Sequence, residues 1–181
     1  NTNWKFLIEN FIEPYHVQFV HKTTTNQPLK DHYTIVDGVC YGSGVNVDEE
    51  DTKNSDALSV TSKYLSLFPN FIIGTYFPNQ IGVYLNVPIS PSLTSQKRII
   101  YTTDGKDMSK EEIKMVKNIW WSVHKEDHEM CKRLQEGRHS PASYDGGLLS
   151  PVWEKGVQAF QKLIVDATMK SSKSIKRKKN V

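Results

Sequence analysis

Cysteine is scarce in this chain: Cys40 and Cys131 are the only two among 181 residues. Two thiols in a chain this long do not form a disulfide framework, so a reducing cytoplasmic setting is the expectation. No apolar run reaches the roughly 18 residues that a membrane span needs, and no stretch reads as a secretory leader. Acid is missing from the last dozen residues, where Lys170, Lys173, Lys176, Arg177, Lys178 and Lys179 stand without a counter-charge. That tail accounts for the formal charge of +3; without its six basic residues, acids outnumber bases in the body. A short basic run can contact nucleic acid or anionic lipid, but the plainer reading is a solvated, disordered terminus over 171–181. No nucleic-acid or membrane partner is expected. The first residue is Asn1 rather than Met, which reads as an excised domain over 1–170 whose upstream part lies elsewhere.

What is present is dense at the start. Asn3-Trp4-Lys5, Glu9-Asn10-Phe11, Glu13-Pro14-Tyr15-His16 and His21 fall within twenty-one residues. Two imidazoles with four residues between them, and carboxylates just upstream, are an economical way to offer two nitrogen ligands to one metal ion. Apolar residues at Phe6, Leu7, Phe11, Tyr15 and Phe19 predict a helix over about 4–21. Pro14 removes a helical donor and predicts a break just before His16. Such a break helps aim two histidines that a regular helix would not superpose.

Residues 22–32 read as loop. Strand-like stretches follow at Tyr33–Tyr41, Leu58–Leu65, Leu67–Phe77, Ile81–Ile89 and Lys97–Thr103, with the fourth in strict alternation. Pro78-Asn79-Gln80 suits an antiparallel hairpin, and Asp48–Asp51 an exposed loop. From Ser109 the period changes. Ser109 and Glu112 form a capping box, and Ile113, Val116, Ile119, Trp120, Val123, Asp127, Cys131 and Leu134 mark one long amphipathic helix ended by Gly137. Pro151 predicts the start of a second helix, to about Lys170. Strands followed by helices indicate an α+β fold, an antiparallel sheet with helices packed on one face.

The order N-W-K, E-N-F, E-x-Y-H, x4, H, with the distant Glu126-Asp127 and Gln135, resembles the catalytic domain of the alpha subunits of Rieske-type non-haem iron ring-hydroxylating oxygenases. The resemblance implies a helix-grip (Bet v 1-like) layout with a substrate cavity between sheet and helices. It implies a mononuclear Fe(II) bound by His16, His21 and Asp127, the facial arrangement that leaves three adjacent positions open. Glu126 is the competing carboxylate, one residue away. Asp127 follows Trp120, Val123 and Ile119 at helical intervals, so it falls on the inward stripe, where a buried acid needs a partner.

Glu13 takes the place of the family's acidic residue, usually aspartate, that links the iron to the Rieske centre of an adjacent subunit. Glu9 and Asn10 are weaker supporting candidates. The Rieske [2Fe–2S] cluster needs two Cys and two His; neither cysteine here has a histidine two positions away, so the resemblance assigns it to the missing upstream domain. A ferredoxin or reductase drawing on NAD(P)H, a homotrimer, and dioxygen with an aromatic or other small organic substrate complete what the resemblance implies, including a role in aromatic hydrocarbon catabolism as dioxygenase or monooxygenase. Phe11, Phe77, Tyr84 and Trp121 are expected to line the cavity. His124 and His128 read as a solvated helix face, and Lys5 and Arg98 as surface charge. The alternative reading is a metal-free helix-grip domain that binds a hydrophobic ligand.

Overall fold

The computed structural model describes residues 1–22, 24–25, 27–46, 62–76 and 79–179. The expected acidic loop at Asp48–Asp51, the first part of the strand expected from Leu58, and Phe77 and Pro78 lie outside the described residues.

Helix α1 spans Trp4–Ile12 and opens where the Asn3 side chain accepts the Lys5 N–H at 3.0 Å, satisfying a donor that the first turn leaves free. It stops before Pro14, and one further turn, α2, covers Val17–Val20. The break expected at the proline is there. Six strands follow: β1 (His32–Asp37), β2 (Cys40–Val45), β3 (Ser62–Leu67), β4 (Phe71–Tyr76), β5 (Gln80–Ser90) and β6 (Leu93–Thr102). They pair in chain order, each antiparallel to the next. Helix α3 spans Lys110–Gly137 and begins with the expected capping box, Ser109 and Glu112 exchanging bonds of 2.7 and 3.2 Å. Helix α4 spans Lys155–Lys179.

Some boundaries differ from those the sequence suggests. The stretch Tyr33–Tyr41 is not one strand but the hairpin β1–β2. Asp37 pairs with Cys40, so the turn is Gly38-Val39, and Gly38 adopts φ +57°, which a side chain would disfavour. Pro151 does not start the last helix. Residues 151–153 form a turn in which the Ser150 hydroxyl accepts the Trp153 N–H at 3.2 Å, while Glu154 folds back onto the Ser150 N–H at 2.6 Å. Beyond Lys170 the helix runs on to Lys179, through a segment with no glycine or proline to stop it.

The helices pack on one face of the sheet. The core joins Ile8 and Ile12 of α1 to Tyr41, Ile72 and Tyr84 of the sheet and to Val157 and Phe160 of α4. Phe160 is fully buried, with the rings of Trp4, Tyr41 and Phe68 around it. Burying such a side chain removes apolar area from water at roughly 25 cal/mol per Å². Helix α3 crosses the far half of the sheet, where the Trp120 indole donates to Gln80 at 3.1 Å.

The alternation expected in β5 is present, and its phase sets the character of the interior. Gly82, Tyr84 and Asn86 face the helices and are buried, whereas Leu85, Val87 and Ile89 point to the outer face and are exposed. On β6, Gln96 and Arg98 face inward and Ile99 and Tyr101 outward. The inner wall of the far half is therefore polar and aromatic, and it encloses a cavity of about 310 Å³.

Candidate metal centre

The break at Pro14 determines how the two histidines are presented. The Pro14 carbonyl accepts the Val17 N–H at 3.2 Å and starts a new turn, with His16 at its N-terminal cap and His21 at its C-terminal cap. The single turn brings the two imidazole centroids to 5.2 Å. Each ring is then fixed by a carboxylate on Nδ1: Glu13 Oε1 lies 2.7 Å from His16 Nδ1, and Glu126 Oε2 lies 2.7 Å from His21 Nδ1. An ionised carboxylate only accepts, so each Nδ1 carries the proton and each Nε2 keeps its lone pair. Glu13 also accepts the His16 backbone N–H at 3.1 Å, and Glu126 accepts the Thr24 hydroxyl at 2.7 Å.

Asp127, reaching in from α3, meets both free nitrogens. Its Oδ1 lies 3.1 Å from His21 Nε2 and 3.7 Å from His16 Nε2. The Asn10 amide of α1 donates to the same oxygen at 2.9 Å. One ligand atom from each of the three residues falls within 4.8 Å of the other two. Metal–ligand bonds of about 2.1 Å set at right angles put neighbouring ligands about 3 Å apart. Asp127 stands near that spacing from the two nitrogens, at 3.1 and 3.7 Å, and all three donors lie close enough together to face one ion.

The electrostatics match a cation site. Burial pushes the Asp127 carboxyl up, but the hydrogen bond and charge of His21, then His16 and Asn10, outweigh it and hold the group below the ordinary carboxylate value. Burial pushes His21 down, yet Asp127 and then Glu126 prevail and raise it above an ordinary histidine.

The structure brings His16, His21 and Asp127 together, with Glu13 behind one imidazole and Asn10 on the carboxylate. Glu126 meets His21 at Nδ1 whereas Asp127 faces the two Nε2 atoms, so Glu126 backs the other imidazole, a role the sequence reading missed although the residue was in view. Glu9 turns away, accepting from Gln161 at 3.0 Å. Phe11 and Tyr84 line the cavity as expected, but Trp120 rather than the exposed Trp121 faces it. One helical step decides that: Trp120 packs on Tyr76 with centroids 4.3 Å apart. His124 is half-buried and borders the cavity rather than a solvated face, whereas His128 touches the cavity rim but is exposed, as expected. Burial, with Arg98 and His128 as further contributors, pushes the His124 imidazole down. Arg98 is not surface charge: it lies in the cavity wall against Tyr84 and Trp120. The signal that could have found it is the inward phase of β6, hidden because the outward set is the more apolar one.

Comparison with known proteins bears on the family and the fold. The family model described as "Ring hydroxylating alpha subunit (catalytic domain)" matches residues 1–170. Among solved structures, the quaternary ammonium Rieske monooxygenase CntA with the inhibitor MMV12 superposes with a TM-score of 0.73 at 17% identity, over 91% of this chain and 46% of that one. CntA with L-carnitine gives 0.69 at 18% identity, over 91% and 45%. A further structure of a quaternary ammonium Rieske monooxygenase, described in connection with carnitine oxidation by gut microbiota and inter-subunit electron transfer, gives 0.70 at 19%, over 91% and 47%. The chain thus spans just under half the length of these structures. A comparison with curated proteins finds no match.

Proposed function

The chain belongs to the ring-hydroxylating alpha-subunit family, within its catalytic domain, and on that footing we propose that it is the substrate-oxidising domain of a Rieske-type oxygenase with His16, His21 and Asp127 as ligands of a mononuclear Fe(II). The observation that carries the reading is the convergence of these three donors, each already held by a second residue. Iron held there would supply activation of dioxygen for hydroxylation, using electrons from a Rieske [2Fe–2S] centre reduced through NAD(P)H-dependent partners.

The rest of the work falls to the chain's own residues. Glu13 and Glu126 hold the Nδ1 protons and so keep both Nε2 lone pairs turned to the same point. Asn10 fixes one carboxylate oxygen and leaves the side towards the cavity free for exogenous ligands. Phe11, Tyr84 and Trp120 narrow the cavity, hold a substrate against that open side and exclude stray water. Glu13, in direct contact with the His16 ring, is the proposed route for an electron or proton arriving from a neighbouring Rieske domain. Trimeric assembly and a ferredoxin or reductase donor belong to the same proposal. Among the described residues no helix is long and apolar enough to cross a membrane.

The substrate is proposed to be a small organic molecule. The expected role in aromatic hydrocarbon catabolism finds no support, because the similar solved structures are of a monooxygenase for quaternary ammonium compounds. A metal-free carrier of a hydrophobic ligand shares the cavity but has no use for three backed donors at one point. Anaerobic loading with Fe(II), followed by metal analysis of wild type and His21→Ala, tests the proposal. One tightly held iron per chain in the first and none in the second is the expected result. Equal iron in both would sink the ligand set.

A further inference from the structure

We propose that the cavity accepts a substrate carrying an anionic group, a carboxylate above all, and that Arg98 is the residue that anchors it. The inference rests on the oxygenase reading for what happens to the substrate, and on the cavity wall alone for how the substrate is held.

Arg98 stands on β6 directly across from Tyr84 of β5 and faces the interior. Its guanidinium carbon lies 4.2 Å from the Tyr84 ring centroid and 4.1 Å from that of Trp120. Those rings stabilise the charge by their quadrupoles. They do nothing for its in-plane donors. Nε and Nη2 are buried with no hydrogen-bond partner, and no carboxylate among the described residues forms an ion pair with Arg98. The neighbouring inward side chain, Gln96, is committed elsewhere, donating to Asn86 at 2.7 Å.

A guanidinium stays protonated under any physiological condition and offers a rigid fork of donors. Leaving such donors unmet in a cavity wall is costly, and the partner that meets two at once is a carboxylate. A purely structural role, tying α3 to the sheet, accounts for the ring contacts but not for the unmet edge.

Charge elsewhere in the cavity gives the substrate a direction. Glu13 and Asp127 border the metal side, carried by the segment after α1 and by α3, while Arg98 is on the sheet. An acidic group is drawn to the unpaired guanidinium on β6. The opposite end of the molecule is then presented to the triad. Arg98 is in this sense a specificity-determining residue: a neutral analogue would leave its donors unmet.

The test is calorimetric titration of the full chain with butyrate, hexanoate, benzoate and phenylacetate, each beside its primary amide, in wild type, Arg98→Met and Arg98→Lys. Iron content is measured on every preparation. At least one acid should bind roughly 10- to 100-fold more tightly than its amide, the span of a hydrogen bond to a charged group. The preference should vanish in Arg98→Met and shrink in Arg98→Lys, which keeps the charge without the fork, with iron content unchanged. If no acid outbinds its amide in the wild type, the proposal is wrong. If the preference survives in Arg98→Met, the acid is held elsewhere, and the proposal is equally wrong. Should Arg98→Met fail to fold, an undiminished preference in Arg98→Lys overturns it. Loss of iron binding with the acid preference intact would instead defeat the oxygenase reading alone.

Discussion

Replacing Glu126 with alanine separates the two adjacent carboxylates of α3 by what each one touches. Glu126 Oε2 lies 2.7 Å from the Nδ1 of His21, whose side chain is only 5% exposed, and 2.7 Å from the Thr24 hydroxyl. Removing it frees the His21 ring to rotate and to change tautomer, and leaves a buried N–H unmet. It does not remove a ligand atom, since Asp127 faces both Nε2 atoms. Loss of such a supporting carboxylate costs about 10- to 100-fold in metal affinity, or about 1.4–2.7 kcal/mol. Glu126→Ala should therefore still bind one Fe(II) at saturation, with that weakening. Asp127→Ala should abolish the stoichiometric site. Anaerobic competition against a coloured Fe(II) chelator reads both variants on one scale. If Glu126→Ala loses the site and Asp127→Ala keeps it, the roles assigned to the two acids are reversed.

Iron binding should also depend on pH through His21, whose affinity for a proton is raised by Asp127 and Glu126 once they outweigh burial. Because a metal must displace that proton, affinity should fall by up to about tenfold per pH unit once pH drops below the raised His21 value; a flat profile from pH 8 to 6 in the same chelator assay would contradict this. His32 is buried, and burial holds its imidazole at about 4, only partly opposed by the Gln27 backbone and Asp31. A histidine depressed on folding contributes stability fully above its unfolded value near 6.5, lost as pH falls toward 4. The loss is about 3 kcal/mol, so the melting temperature should fall over that window and fall less in His32→Leu; equal falls would count against the assignment. Phe160→Ala should destabilise by about 3–5 kcal/mol in urea unfolding, as for a fully buried aromatic, and a change below about 1 kcal/mol would mean that α4 is not part of the core.

Local signals made much of this legible. Pro14 foretold the break that presents His16, the capping box foretold the start of α3, and helical spacing put Asp127 on the buried stripe with Val123 and Cys131. The misses share a cause: they depend on which face of an element meets which neighbour. Periodicity identifies β5 and β6 as strands, but their more apolar sets face outward, so Arg98 could not be placed in the cavity from alternation alone. Trp120 and Trp121 differ by one helical step, which composition does not resolve. Glu126 could be read as an alternative to Asp127, but its contact with His21, 105 positions away, exists only after folding. The Gly38-Val39 turn is a miss of another kind: a glycine at the first turn position is a short-range signal, passed over in reading Tyr33–Tyr41 as one strand.

The claim with most resting on it is that His16, His21 and Asp127 close around one ferrous ion. Crystals loaded anaerobically with Fe(II), with diffraction recorded on both sides of the iron absorption edge, address it without reference to turnover. The account predicts a single strong anomalous peak about 2.1 Å from the two Nε2 atoms and a carboxylate oxygen of Asp127. An iron peak bound elsewhere, or none among these three side chains at full loading, would contradict it.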